Sequence, residues 1–317
     1  MKKSLLLVGL LAFMACGDKK EKEIAQIPME IETVRFDSLF FATPSEKIPE
    51  LRKAYPFFFT SNISDNEWID IQKDSLRQAL YKEVQKNVGN LSKEKKEIKN
   101  LFQHIKYYFP NFQAPKVITL TSEVDYQSRV IYADSLLLIG IDNYLGENHH
   151  FYENIQKYIR FELKKENIVI DVAESFTDKL VPRRQHLTFL DNMIYEGKKL
   201  YLTEILLPKK SEAEILKYDK TKWKWAVENE SQIWRYFIDN ELLYQTDKKL
   251  LNRFIYPSPF SKFYLELDSE SPGGVGRFIG LQIVKAFMKK NEQTSVIEML
   301  AMKPDELFKQ SFYKPKK

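Results

Sequence analysis

The residues of this 317-residue chain with the most specific chemistry are four histidines, one cysteine and a run of glycines. A catalytic zinc site needs two imidazoles aimed at one ion. The spacing H-E-x-x-H supplies them, because positions i and i+4 share a helix face. No such pair occurs. His149 and His150 are adjacent, diverge on regular structure and are expected in a loop near a turn; His104 and His186 are expected at the surface or at helix ends. The segment Gly274-Val275-Gly276-Arg277-Phe278-Ile279-Gly280 is glycine-rich. Its spacing is not that of a dinucleotide fingerprint, and no apolar strand leads into it. It therefore predicts the entry to a tightly packed helix. Neither G-x-S-x-G nor G-x-x-x-x-G-K-[ST] is present, so serine-hydrolase and nucleotide chemistry lose their usual support.

Cys16 is the only cysteine. Lys2 and Lys3 precede the apolar run from Leu5 to Met14, and Ala15-Cys16-Gly17 closes it. A permanent membrane span takes about 20 apolar residues, so this shorter run predicts a signal peptide over residues 1–15. Small residues flanking Cys16 resemble a bacterial lipobox, although Phe13 and Met14 depart from the usual pattern. Each buried methylene contributes about 0.8 kcal/mol and two or more chains anchor stably, so acylated Cys16 would hold the protein on a membrane. The body would then face the periplasm from the cell envelope, and either the inner or the outer membrane satisfies the anchor. Residues 16–28 are expected to form a lipidated, solvated tether, since Gly17 to Gln26 is charged and shows no apolar face. The folded unit is expected over residues 29–317 as a single domain.

Composition supports a folded body. Hydrophobic residues make up 44%, which suffices for a core and excludes disorder. The formal charge of +5, with acids and bases interleaved, gives no basic stripe for nucleic acid. The ring cluster Tyr55-Pro56-Phe57-Phe58-Phe59 and the tryptophans could build a binding surface, but in a chain 14% aromatic they are expected mainly in the core.

Local patterns place the elements. Alternation from Ile31 predicts a short strand before the turn at Pro44. Ser64-Asp65-Asn66-Glu67 is a capping box opening a helix to about Val88, and Ser92 starts another that Pro110 ends. Strands are expected at Lys116–Thr121, Arg129–Tyr132 and Ser135–Ile141. Beyond Asn148 the chain reads as helical, with a second capping box at Ser211–Glu214, a Trp-rich helix, and a helix from Val275 to Lys290. No repeat of solenoid length is present.

Several segments together resemble the GldB family of gliding-motility lipoproteins: Arg35-Phe36-Asp37, Tyr108-Phe109-Pro110, Leu138 through Gly146, Leu180-Val181-Pro182-Arg183-Arg184, and Leu190 through Lys198. The order of parts is also similar to zinc-metallopeptidase-like proteins. In active relatives of that kind a helix would carry H-E-x-x-H; the nearest counterpart here is Ala173-Glu174-Ser175-Phe176-Thr177, in which only Glu174 matches. Glu196-Gly197 resembles the later segment that supplies a third ligand. The resemblance thus implies an α+β fold, mainly helical with a small β-sheet, on a zincin-like scaffold lacking the metal motif. It also implies a vestigial groove at Glu174, Tyr195, Glu196 and Gly197, with no catalytic residue, metal or cofactor.

The leading expectation is a non-catalytic, lipid-anchored component of the gliding machinery. Its partners would be the membrane, through the anchor, and other proteins, with no nucleic acid or nucleotide. The alternative is a lipid-anchored, metal-dependent hydrolase or peptidase with non-standard ligands: Glu174, Glu196 and a distant histidine. A third reading is a binding module whose groove holds a peptide or partner segment.

Overall fold

The computed structural model describes residues 19–182, 187–266 and 268–315. Cys16, and Arg183, Arg184 and His186 from the quoted segments, lie outside the described residues. Strand β1 (Thr33–Arg35) runs directly into helix α1 (Phe36–Ala42). The alternation that predicts a longer extended segment ends at Phe36, because Phe36 and Phe40, one helical turn apart, both enter the core. The helix expected from Asp65 to Val88 is two helices, α2 (Asp65–Lys73) and α3 (Ser75–Asn87). Asp74 breaks it: its backbone is extended and its carboxylate caps α3 by accepting from the Arg77 amide at 2.9 Å. Helix α4 (Ser92–Tyr108) follows as expected, as do β2 (Lys116–Leu120), β3 (Val130–Ala133) and β4 (Leu136–Gly140).

The four strands form one sheet in the order β1-β2-β4-β3. β1, β2 and β4 are parallel, with Val34 opposite Ile118 and Ile118 opposite Leu138; β3 is antiparallel to β4. Successive side chains leave a strand on opposite faces, so this sheet divides two cores. Val117, Leu137 and Ile139 enter the larger one. Ile118 and Leu138 meet the smaller, where Phe36, Phe40 and Phe59 gather with Trp68 and Phe58. The ring cluster is therefore core at Phe59 and mostly so at Phe58, while Phe57 is 53% exposed. Arg35 and Asp37 brace this corner. The Arg35 guanidinium grips Asp37 at 2.7 and 2.9 Å and donates to the Gly89 carbonyl at 2.8 Å, while the Thr119 hydroxyl reaches the same buried carboxylate.

The larger core is built by α5 (Ile168–Leu180), α6 (Phe189–Leu206), α7 (Lys220–Glu228), α8 (Glu230–Asp239) and α9 (Val275–Lys290). Trp223 on α7 lies edge-on to Phe278, and Trp234 on α8 edge-on to Tyr313. At the crossing of α6 and α9 the backbones nearly touch. A Cβ on Gly197 would lie 2.3 Å from the Gly280 carbonyl carbon, and one on Gly280 only 1.9 Å from the Met193 oxygen. The glycine-rich segment thus serves tight helix packing.

The amino-terminal segment differs from the expected solvated tether. Residues 19–25 are helical, Ile24 is fully buried, and Gln103 on α4 donates to the carbonyls of Ala25 and Ile27 at 3.1 and 2.9 Å. The segment is seated by one apolar side chain, two backbone carbonyls and the polar contacts of Lys20 with Tyr108 and of Glu21 with His104, a pattern without an amphipathic face. His104, expected near the surface, is buried beneath it, 3.2 Å from the Glu21 carboxylate. Among the described residues no helix is long and apolar enough to cross a membrane.

Candidate functional site

Where α5, α6 and the start of α9 converge, the structure holds a chain of buried and half-buried ion pairs. Asp171 on α5 is nearly enclosed and accepts three cationic or polar donors. These are Arg129 Nε at 2.7 Å, Lys217 Nζ at 2.6 Å and the Tyr144 hydroxyl at 2.8 Å. Arg129 also binds Glu162 at 2.6 Å, and Lys217 binds Glu174, one turn along α5, at 2.6 Å. Beyond Glu174 comes Arg277 at 3.9 Å, then Glu196 of α6 at 3.7 Å from Arg277. Lys199 closes the series between Glu196 at 3.2 Å and Asp178 at 2.7 Å.

Local sequence explains each placement. Asp171, Glu174 and Asp178 recur at helical spacing, so they line one side of α5. Glu196 and Lys199 do the same on α6. The glycine contacts bring α9 so close to α6 that Arg277, in its first turn, reaches Glu196. Lys217 comes from a tight turn after the short helix Glu212–Ile215, whose capping box Ser211–Glu214 forms as expected. Its backbone is left-handed, with φ of 56°, where glycine is usual at a helix end. Such a conformation is unfavourable for lysine and persists only where surrounding contacts over-determine it; here the buried ammonium supplies them.

The electrostatics follow from burial set against pairing. Burial raises the Glu174 carboxyl, but the Lys217 ammonium and then the Arg277 guanidinium outweigh it and hold the group below its ordinary range. Burial lowers Lys217, yet Asp171, Glu174 and Glu162 drive it well above its ordinary value. Arg277 and Lys199 are likewise raised against burial, each chiefly by Glu196.

Two cavities adjoin the network and share Glu162, Lys217, Ile255, Pro257 and Arg277 as walls. The one on the side of α5 and α6, termed the inner one, is about 280 Å³, charged and bordered by Glu174 and Glu196. The outer one, about 330 Å³, is bordered by rings and prolines including Tyr158, Phe161 and Pro259. The structure thus brings Glu174 and Glu196 together through Arg277. It does not bring the other two expected groove residues to the cavity wall. Gly197 is consumed by the helix crossing, and the Tyr195 ring packs against the core with the Lys199 ammonium 5.4 Å above its centre. Of the two positions where a peptidase would carry histidines, Ala173 lies in the core, and Thr177 borders the inner cavity with its hydroxyl turned to the Glu174 carbonyl.

The donor set does not suit a divalent cation. Glu162, Glu174, Asp178 and Glu196 each already have a side-chain cation within 4 Å. Among the described residues no three His, Cys, Asp or Glu side chains converge on one point. His104, His149 and His150 border neither cavity. His149 binds Glu83 at 3.0 Å, and its ring lies 4.4 Å from that of His150, so the expected divergence does not hold in their short turn.

Arg129, Glu162, Asp171 and Lys217 escape sequence reasoning because their closest pairs join residues 33 to 46 positions apart, and Arg277 because its carboxylates lie still farther along the chain; Lys199 stands one helical turn from Glu196, a spacing shared by ordinary surface pairs. Lys217 stands just past a recognisable capping box, and Arg277 sits inside the glycine run; those were the available signals. No curated protein and no solved structure shows significant similarity to the chain. The family model described as gliding motility protein GldB matches residues 17–315, and with nearly its whole length covered the chain belongs to the GldB family.

Proposed function

We propose that this protein is a cell-envelope component of the gliding-motility machinery, held at a membrane by acyl chains on Cys16 and acting through protein contacts without a catalytic step. Family membership over residues 17–315 supports the part in motility. The observation that carries the non-catalytic reading is the cation network: Lys217 and Arg277 compensate Glu174, the one residue matching the peptidase pattern. A general base works best with a pKa near the working pH, and a carboxylate held below its ordinary range is a weak one. In this reading the scaffold is peptidase-like in layout, and covalently attached cations stand where a metal's charge would otherwise be needed.

The test is genetic. A clean deletion is expected to abolish movement over surfaces, with restoration by the wild-type chain and by Glu174→Gln, and failure of restoration by Cys16→Ser. Unimpaired movement of the deletion strain removes the motility assignment. Loss of movement with a stably folded Glu174→Gln chain removes the non-catalytic one.

A further inference from the structure

Arg277 differs from the other cations of the network. Arg129, Lys199 and Lys217 each have a carboxylate oxygen at 2.7 Å or less. The Arg277 guanidinium makes no side-chain hydrogen bond among the described residues. Its Nε is sealed from solvent without a partner, and its nearest carboxylate oxygens stand 3.7 and 3.9 Å away. A buried donor left unpaired is unfavourable, and a guanidinium fork matches the two oxygens of a carboxylate. The side chain also forms part of the wall common to both cavities.

The surroundings narrow what would complete the fork. On the inner side Glu174 and Glu196 repel a doubly charged phosphate more than a singly charged carboxylate. On the outer side the 330 Å³ cavity offers Tyr158, Phe161, Leu216, Pro257 and Pro259 to an apolar group, and its border carries four cations, Lys157, Lys217, Lys222 and Arg277, against the two carboxylates of Glu162 and Asp219, a balance that favours an anion. That volume lies within the range of cavities that hold small molecules or single large side chains.

We propose that Arg277 receives the carboxy-terminal carboxylate of a peptide chain whose last side chain, apolar, fills the outer cavity. The assignment rests on the contact-making function above and names its ligand chemistry. Binding gives the terminal nitrogens of the guanidinium, whose side chain is 22% exposed, the close partner they lack and leaves the Lys217 pairs intact.

Calorimetric titration of the full chain in detergent with N-acetyl-glycyl-phenylalanine, as free acid and as carboxamide, tests it. The free acid should bind about ten- to a hundredfold more tightly than the amide, the worth of one charge-assisted bidentate contact. Arg277→Lys, which keeps the charge and loses the fork, should erase most of that difference, and circular dichroism should show the variant folded. Equal binding of acid and amide overturns the proposal, as does an acid that fails to saturate by about 1 mM. Mass spectrometry of the titrated probe separates the two readings. A bound but hydrolysed probe leaves the site standing and removes the non-catalytic function, whereas an unbound probe removes the site and leaves that function untouched.

Discussion

Lys217 is the residue on which the network turns, since its ammonium satisfies Asp171 and Glu174 together and lies 3.7 Å from Glu162. Removing one member of a buried ion pair leaves an uncompensated charge, so Lys217→Met should lower unfolding stability by about 3–5 kcal/mol at neutral pH, read from urea titration. The pH dependence has a definite sign. Glu174 is lowered from 4.5 in the folded state, so its contribution is complete above that value and disappears as the pH falls through the lower folded one. Lys217 is raised from 10.5, so its contribution is complete below that value and is lost only as the pH climbs through the higher folded one. The wild-type midpoint should therefore change little through this network from pH 5 to 10 and fall in acid. The gap between wild type and Lys217→Met should narrow from pH 7 to pH 3, because a protonated Glu174 no longer needs the ammonium. A gap that stays constant would show that lost packing, not charge, causes the effect. Glu174 and Glu196 were legible in the sequence because a motif named them. Lys217 and Arg277 were not, since an ion pair between residues of distant elements leaves no spacing to detect, whereas Lys199, one turn from Glu196, has a spacing that any exposed helix face also shows.

At the scale of elements, the crossing of α6 and α9 sets the geometry of the site. Alanine favours an isolated helix over glycine by about 1 kcal/mol, so propensity alone predicts that Gly280→Ala stabilises. The close approach predicts the reverse, because the new Cβ would meet the Met193 carbonyl at 1.9 Å and the helices would have to part. Overpacking of this kind destabilises by about 1–3 kcal/mol, and thermal unfolding of Gly280→Ala should show a lowered midpoint. Separation would also carry the repelling Glu196 carboxylate away from Arg277, so the variant should bind the free-acid probe more tightly. A raised midpoint would mean that the helices stand farther apart than described. The helix Val275–Lys290 and the strands β2 to β4 were visible in the sequence to within a residue or so, since glycine, proline and the apolar period all agree there. The break at Asp74 was missed because the capping box at Ser64 starts a pattern that the helical period of α3 continues. One aspartate with extended backbone interrupts it without a glycine or proline to mark the place.

For the whole molecule, the seating of residues 19–27 decides how far the body stands from its proposed anchor. A free 13-residue tether would reach about 45 Å when extended, whereas three residues from Cys16 to the start of the helical segment reach only about 11 Å. An acylated chain would therefore ride close against the bilayer, with the segment clasped by Ile24 and by the Gln103 amide. Full burial of an isoleucine contributes about 1.5–3 kcal/mol, so Ile24→Asp should raise the population of the detached segment by about ten- to a hundredfold. Lys19 and Lys22, both exposed, then offer trypsin a mobile substrate. When cleavage is slower than reclosing, its rate tracks that open population. With the acylated protein on vesicles, trypsin should release the body from the Ile24→Asp form at least tenfold faster than from wild type, while the excised body keeps its native circular dichroism. Equal release rates would show that the segment is already free of α4 at the membrane, and the body would then hang on the longer tether.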